Sequence, residues 1–199
     1  MSPSRKGPGR CTQTEEGFQL QNFELSVLDF IQQNLRSSVG DTVMVWITRL
    51  GDSGAVWILL TLVLLLLPRY RKFGFAMGFA LLLDLLCCNL FLKPLLARVR
   101  PCDVNTAVQL LIAHPAGFSF PSGHTAASFS AASALFFSGS RLWIPAGFLA
   151  AAIAFSRLYL YVHYPTDILG GILLGIGAGY LGWRLSQKAL RRVCFKKSS

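Results

Sequence analysis

An all-α, polytopic membrane bundle of five or six transmembrane helices, preceded by an N-terminal amphipathic helix, is the fold this sequence predicts. Three observations predict it. Of the 199 residues, 53% are hydrophobic and only 14% are charged, against about 25% charged in a typical soluble domain. The apolar residues fall in separate runs, several approaching the ~20 residues that a helix needs to cross the hydrocarbon core. The basic residues gather in the short segments between those runs and at the tails, as they do around membrane helices. Length allows one compact domain. The net charge of +10 would direct a soluble chain towards nucleic acid. Placed as it is here, it fits topology and anionic lipid headgroups, and no nucleic-acid partner is expected.

In chain order, residues 1–22 are polar and read as a flexible tail, without the apolar stretch of a signal peptide. Phe23 to Leu35 reads as an amphipathic interfacial helix whose apolar face carries Phe23, Val27, Phe30 and Ile31. Gly40 is expected to break it. Thr42 to Leu50 is a short apolar segment, and Gly51-Asp52-Ser53-Gly54 reads as a turn offering an N-cap. The spans then follow as Ala55–Leu67, closed by Pro68, and Phe73–Leu92, with Thr125–Phe137, Leu142–Leu160 and Ile168–Leu185 after a proline-punctuated connection from Pro94 to Ser119. Residues 23–190 thus form the membrane-embedded domain, and residues 191–199 a basic cytoplasmic tail. Gly171, Gly175 and Gly179 recur four apart on one face of the last span. That spacing lets helices approach closely, inside the bundle first and in a homodimer second. The five cysteines show no CxxC pair, so neither a disulfide framework nor a zinc site is expected.

Charge asymmetry gives a sidedness. The Arg69–Lys72 loop, Arg141 and the C-terminal tail alternate with the loops at 93–120 and 157–166. The positive-inside rule puts the first set in the cytoplasm and the second outside.

Three clusters on that outer side carry chemistry. Lys93 and Arg100-Pro101 follow the second span, Pro121-Ser122-Gly123-His124 precede the third, and Ser156-Arg157, His163 and Asp167 bridge the fourth and fifth. Charged groups at membrane boundaries are costly and mark function. Lys93, Arg100 and Arg157 offer three positive charges to phosphate oxygens. Ser122 and Gly123 read as a helix start whose free N–H groups favour an anion. Pro165 reads as an early helical position, which puts Asp167 in the first turn, within reach of the His163 ring. A carboxylate on one imidazole nitrogen fixes the tautomer while the other nitrogen attacks. His124 is then free to protonate the leaving oxygen.

Lys93-x6-Arg100-Pro101, Pro121-Ser122-Gly123-His124 and Ser156-Arg157-x5-His163-x3-Asp167 resemble, in order and with every position filled, the three-part signature of the phosphatidic acid phosphatase type 2 superfamily. The resemblance covers roughly residues 40–187. It implies that His163 is the nucleophile, Asp167 its partner and His124 the general acid. Lys93, Arg100, Ser122, Gly123 and Arg157 would bind the phosphate. It implies an integral-membrane phosphatase acting through a phosphohistidine on a lipid phosphate or diphosphate of the undecaprenyl diphosphate, phosphatidic acid or phosphatidylglycerophosphate type. Undecaprenyl diphosphate stands first because the site faces outward. The rival readings are a phosphotransferase or phosphatase for a soluble ester, and a non-catalytic transporter or scaffold.

Other residues carry blander expectations. Arg98 has no place in the motifs and reads as a snorkelling anchor, His114 as loop decoration, and Asp84 as a neutral or hydrogen-bonded group buried in the bundle. Tyr159, Tyr161 and Tyr164 read as an interfacial aromatic belt. Val108, Leu110, Leu111 and Ile112 would lay the 103–119 loop on the membrane surface. With no metal-ligand spacing, neither a metal nor another cofactor is expected.

Overall fold

The computed structural model describes residues 15–196, and all regular structure among them is helical. Helix α1 runs over Glu15–Asn34, so residues 15–22, expected in the polar tail, are helical; residues 1–14 lie outside the described part. Its buried stripe is Glu24, Leu28 and Ile31, while Phe23 and Phe30 are 65% and 60% exposed. The stripe shares Ile31 with the expected apolar face and adds Glu24, a carboxylate that the sequence pattern leaves on the surface and that is buried against partners contributed from far along the chain. Helix α2, Ser38–Leu50, is capped by Ser37, whose hydroxyl accepts from the Gly40 N–H at 3.1 Å. That cap starts the helix before Gly40, which therefore lies within α2 and not at a break.

A short turn at Asp52–Gly54 leads to α3, Ala55–Leu66. Helix α4, Arg71–Asp84, passes into a π-helical stretch, Leu85–Leu92, and then into the short α5, Lys93–Leu96. After α6, Pro101–Val104, and a long loop come α7, Gly123–Phe137, α8, Trp143–Tyr159, and α9, Pro165–Lys196. Residues 191–196, expected as tail, prolong α9. By length and composition Arg71–Val104 and Pro165–Arg191 are able to cross a membrane. The pair Ser38–Leu50 and Asp52–Leu66, bent by 44°, adds a third if it counts as one span. Five or six spans is thus more than these criteria support, because α7 and α8 have only 15 and 17 residues.

Helices α4, α7 and α9 hold the core together, around Met77, Ala80, Ala131, Ala134 and Leu135, with Trp57 of α3 and Ile153 of α8 beside them. Trp57 Nε1 donates to the Ser128 hydroxyl at 2.9 Å, so its one polar atom is satisfied inside the bundle. The glycine stripe does what its spacing predicts within the bundle. A Cβ at Gly175 would lie 2.7 Å from both the Ala126 carbonyl oxygen and Phe129 Cβ of α7, a contact that backbone atoms cannot relieve.

Connectivity separates two ends. The Arg69–Phe73 turn meets the Gly139–Leu142 turn around a shared cavity, while the starts of α7 and α9 and the end of α8 lie at the opposite end. There the three tyrosines depart from expectation: Tyr159, Tyr161 and Tyr164 are 2%, 0% and 0% exposed. The Tyr159 and Tyr161 hydroxyls donate to Asp41 and Asp29 at 2.8 and 2.7 Å, and Tyr164 accepts from Gln21 at 3.2 Å. Those partners belong to α1 and α2, so a belt that would face lipid is instead covered by the N-terminal helices. The 103–119 loop is folded in as well. Leu110, Leu111 and Ile112 pack against a cluster of Cys102, Tyr159 and Val162 and do not form a separate surface patch.

Candidate active site

The chain between α8 and α9 delivers the site. Tyr161 has φ of 61°, a left-handed conformation that is costly for a bulky residue and persists where its surroundings over-determine it. Asp29 and Asn105 hold its hydroxyl. From that turn the chain passes through His163 to Pro165, the first residue of α9.

His163 is 2% exposed, and its Nδ1 lies 3.3 Å from Asp167 Oδ2. The same oxygen accepts the Tyr164 N–H at 2.8 Å and the Ser119 hydroxyl, while Oδ1 accepts from Arg98 Nη1 at 2.8 Å. An ionised Asp167 only accepts, so Nδ1 carries the ring proton and Nε2 keeps its lone pair. Arg100 Nη1 lies 3.2 Å from that Nε2. Burial, assisted by Arg157 and Arg100 and opposed by Asp167, pushes the His163 pKa down to about 3. The resting ring is therefore neutral, which is the form that can attack phosphorus.

Arg100 does more than the motif implies. Its fork donates to the carbonyls of Gly117, Val162, Ala116 and Phe118 at 3.0 to 3.3 Å, clamping the long loop onto the His163 turn. Arg157 is 3% exposed; Nη1 donates to the Thr48 hydroxyl, and Nε is buried with no partner among the described residues. A buried cation with a spare donor suits an incoming anion.

Helix α7 starts at Gly123, as its sequence predicts, with His124 in the first turn. The Ser122 N–H donates to the Asp167 carbonyl at 3.1 Å, joining the α7 and α9 starts. A Cβ at Gly123 would lie 3.2 Å from Lys93 Nζ, a tight contact, so glycine leaves the lysine head more room there. His124 Nε2 lies 2.9 Å from Asp52 Oδ1. His124 lines two cavities. One, of about 560 Å³, is shared with Arg157, Asp52, Thr48 and His114. The other, of about 540 Å³, is shared with Lys93, Gly123, Asn89 and Asp84 and continues along Ile58, Leu81, Leu82 and Leu85.

The sequence-predicted residues thus gather at one end of the bundle. His163, Asp167 and Arg100 are in direct contact; His124, Arg157 and Lys93 stand around the two cavities. Residues that sequence reasoning missed are Glu24, Thr48, Asp52 and Ser119, which no motif marks, and Arg98, which is not a free anchor but pairs with Asp167 and Glu24. Asp84 is 4% exposed and its Oδ1 lacks a partner among the described residues. His114 pairs with Asp103 at 2.7 Å and also walls a cavity, so it is more than decoration. The expectation of no metal-ligand spacing needs correction too. The long loop returns His114 to Cys102 and Asp103, with one ligand atom of each within 4.8 Å of the others; none of these three is among the sequence-predicted site residues.

A family model described as the PAP2 superfamily matches residues 70–191. An undecaprenyl-diphosphatase of Sulfolobus acidocaldarius is 30% identical over 166 residues, covering 83% of this chain and 79% of that protein. The undecaprenyl-diphosphatase BcrC of Bacillus subtilis is 31% identical over 155 residues, 76% and 77% of the two chains. The crystal structure of a transmembrane PAP2-type phosphatidylglycerolphosphate phosphatase from Bacillus subtilis superposes with a TM-score of 0.70 at 26% identity, covering 85% of this chain and 87% of the other.

Proposed function

The chain belongs to the PAP2 superfamily, and from that premise we propose that it is an integral-membrane phosphatase that hydrolyses a lipid phosphate or diphosphate through a phosphohistidine on His163. The observation that carries the reading is the His163 ring, held on Nδ1 by Asp167 with Nε2 bare beside the Arg100 guanidinium. In the first step Nε2 attacks phosphorus while His124 gives its proton to the leaving oxygen. In the second, water attacks the phosphohistidine, His124 takes that water's proton, and the bond from phosphorus to Nε2 breaks, which restores the His163 ring and releases inorganic phosphate. Lys93, Arg100, Arg157 and the α7 N-terminus supply the positive charge that the phosphoryl group needs as it transfers. Ser122 and Gly123 would shape the cradle for its oxygens. The family's lipid-phosphatase members and the cavity that leads from Lys93 and His124 into apolar side chains of α3 and α4 favour a lipid substrate. Relatives named for undecaprenyl diphosphate make that lipid the first to test.

The direct test is phosphate release in detergent micelles from undecaprenyl diphosphate, phosphatidic acid, phosphatidylglycerophosphate and a soluble phosphomonoester, each with and without EDTA. Turnover of a lipid substrate that survives EDTA and is blocked by vanadate is expected, vanadate taking the place of pentacoordinate phosphorus on His163. Turnover of the soluble ester alone, or activity restored only by a divalent ion, would overturn the lipid or the metal-independent reading respectively.

The site is also proposed to face away from the cytoplasm, with α7 and α8 crossing alongside the longer helices. The support is the basic Arg69–Lys72 and Arg141 turns at the opposite end of the bundle. A single cysteine introduced at the exposed Ala113 should react with an impermeant maleimide in intact cells, and Cys194 of the basic tail only after permeabilisation. Labelling of Cys194 alone in intact cells would invert the topology.

A further inference from the structure

The proposed chemistry leaves unexplained a buried charge network behind the His163–Asp167 pair. Glu24 on α1 is a carboxylate only 1% exposed. Its Oε1 accepts from the Thr166 N–H at 3.0 Å and the Thr166 hydroxyl at 2.6 Å, and Oε2 pairs with Arg98. Arg98 turns its other nitrogen, Nη1, to Thr166 Oγ1 at 2.6 Å and Asp167 Oδ1 at 2.8 Å, and stacks its guanidinium over the Tyr164 ring at 4.0 Å. Two carboxylates from opposite ends of the chain therefore share one arginine.

We infer that Glu24 and Arg98 are positioning residues for catalysis, through which helix α1 holds Asp167 ionised and aimed at His163 Nδ1. Asp167 is 0% exposed. A buried carboxylate keeps its charge through the hydrogen-bond donors and compensating cations around it. Arg98 is the cation in contact with it, whereas Arg100 meets the His163 ring at Nε2, the nitrogen away from Asp167. Ser119 and the Tyr164 N–H donate to Asp167 but bring no net charge. Without Arg98, Asp167 holds a proton and donates it to His163 Nδ1. The ring proton then moves to Nε2, and the attacking lone pair is lost. Glu24 fixes Arg98 in turn, and its two contacts to Thr166 set the first turn of α9, from which Asp167 projects. Arg98 is planar and forked, so a lysine can replace its charge but not both of its contacts.

This inference rests on the proposed role of His163, and the test separates the two. In the full-length protein, Arg98→Met is expected to lower kcat by about 10- to 100-fold, the scale on which partners of a site ligand act. KM should change little, because the phosphate-binding cations are untouched. Arg98→Lys should recover part of the loss, and Glu24→Gln, which keeps the shape and removes the charge, should lose less than Arg98→Met. Nitrogen-15 spectra of the His163 ring supply a readout independent of any substrate. The native protein should show Nδ1 protonated and Nε2 bare, and Arg98→Met a shift of the proton to Nε2. An unchanged tautomer in Arg98→Met, or a kcat that falls only in proportion to the folded fraction, would overturn the inference while leaving the phosphatase reading intact. A native protein whose turnover survives loss of His163 would instead overturn that reading, and the ring spectra would still decide the role of Arg98.

Discussion

Replacing His163 with alanine is expected to cut phosphate release by about 10⁴-fold or more, the scale seen when a covalent nucleophile is removed, while the protein remains folded. The loss is large because the other two histidines are committed elsewhere. His124 faces Asp52 across a cavity wall, and His114 pairs with Asp103 in the long loop. The fold should tolerate the change, since His163 sits in the turn between two helices and its backbone contacts do not depend on the ring. A melting curve in detergent shows whether it does. Retention of more than a few per cent of the activity in a folded variant would remove His163 from the mechanism. The same ring sets a pH expectation. Its pKa, lowered by burial to about 3, means that protons are excluded from the native ring but not from the unfolded one, whose ordinary value is ~6.5. Below that ordinary value, falling pH therefore favours unfolding, while the folded ring stays neutral and nucleophilic down to the lower value. Ring spectra of folded enzyme should show no protonation at about pH 5.

Arg157→Met should separate function from stability. Arg157 is almost fully buried, with its Nε unpartnered and its Nη1 on Thr48. Burying such a cation without an anion beside it is costly, and an arriving phosphate offsets that cost. Removing it is expected to lower kcat/KM on the order of 10²- to 10³-fold, as loss of one preorganised donor to a transition state does. The melting temperature of the ligand-free protein should not fall, and it should rise if desolvation dominates. Vanadate should raise the melting temperature of the native protein and raise that of the variant less, because binding to the folded state alone stabilises it. A variant that melts earlier and loses activity only in step with unfolding would make Arg157 a structural residue.

The membrane character, the helix starts at Gly123 and Pro165, and the three motif clusters were legible in the sequence, for a physical reason. Each depends on local chemistry: proline at or just before a helix start, charged residues at the ends of apolar runs, an apolar run of a certain length. The His163–Asp167 contact was legible too, since a loop residue four positions before a first-turn carboxylate leaves the two side chains little choice. What the sequence hid depends on contacts made at long range. Glu24 looked like a surface residue because Arg98 and Thr166 lie more than seventy positions away. The tyrosines at 159, 161 and 164 looked like lipid-facing aromatics until α1 and α2 supplied carboxylates and an amide for their hydroxyls. Asp52 read as a turn residue because nothing local predicts that α7 brings His124 against it. The expected five or six spans are not confirmed by helix length for a related reason: an apolar run reads as a span on its own, whereas α7 and α8 are short helices that bury much of their surface on neighbours.

Trapping the covalent intermediate tests the account most directly. Enzyme mixed with a lipid substrate labelled in the transferred phosphate, and quenched in alkali within a turnover, should carry label on the protein. Phosphohistidine is stable to alkali and labile to acid, so the label should survive the quench, disappear on acidification and map to the peptide containing His163. It should be absent from His163→Ala. Steady turnover with no labelled protein at any quench time, or label that maps to another residue, would contradict the assignment of His163 as the nucleophile.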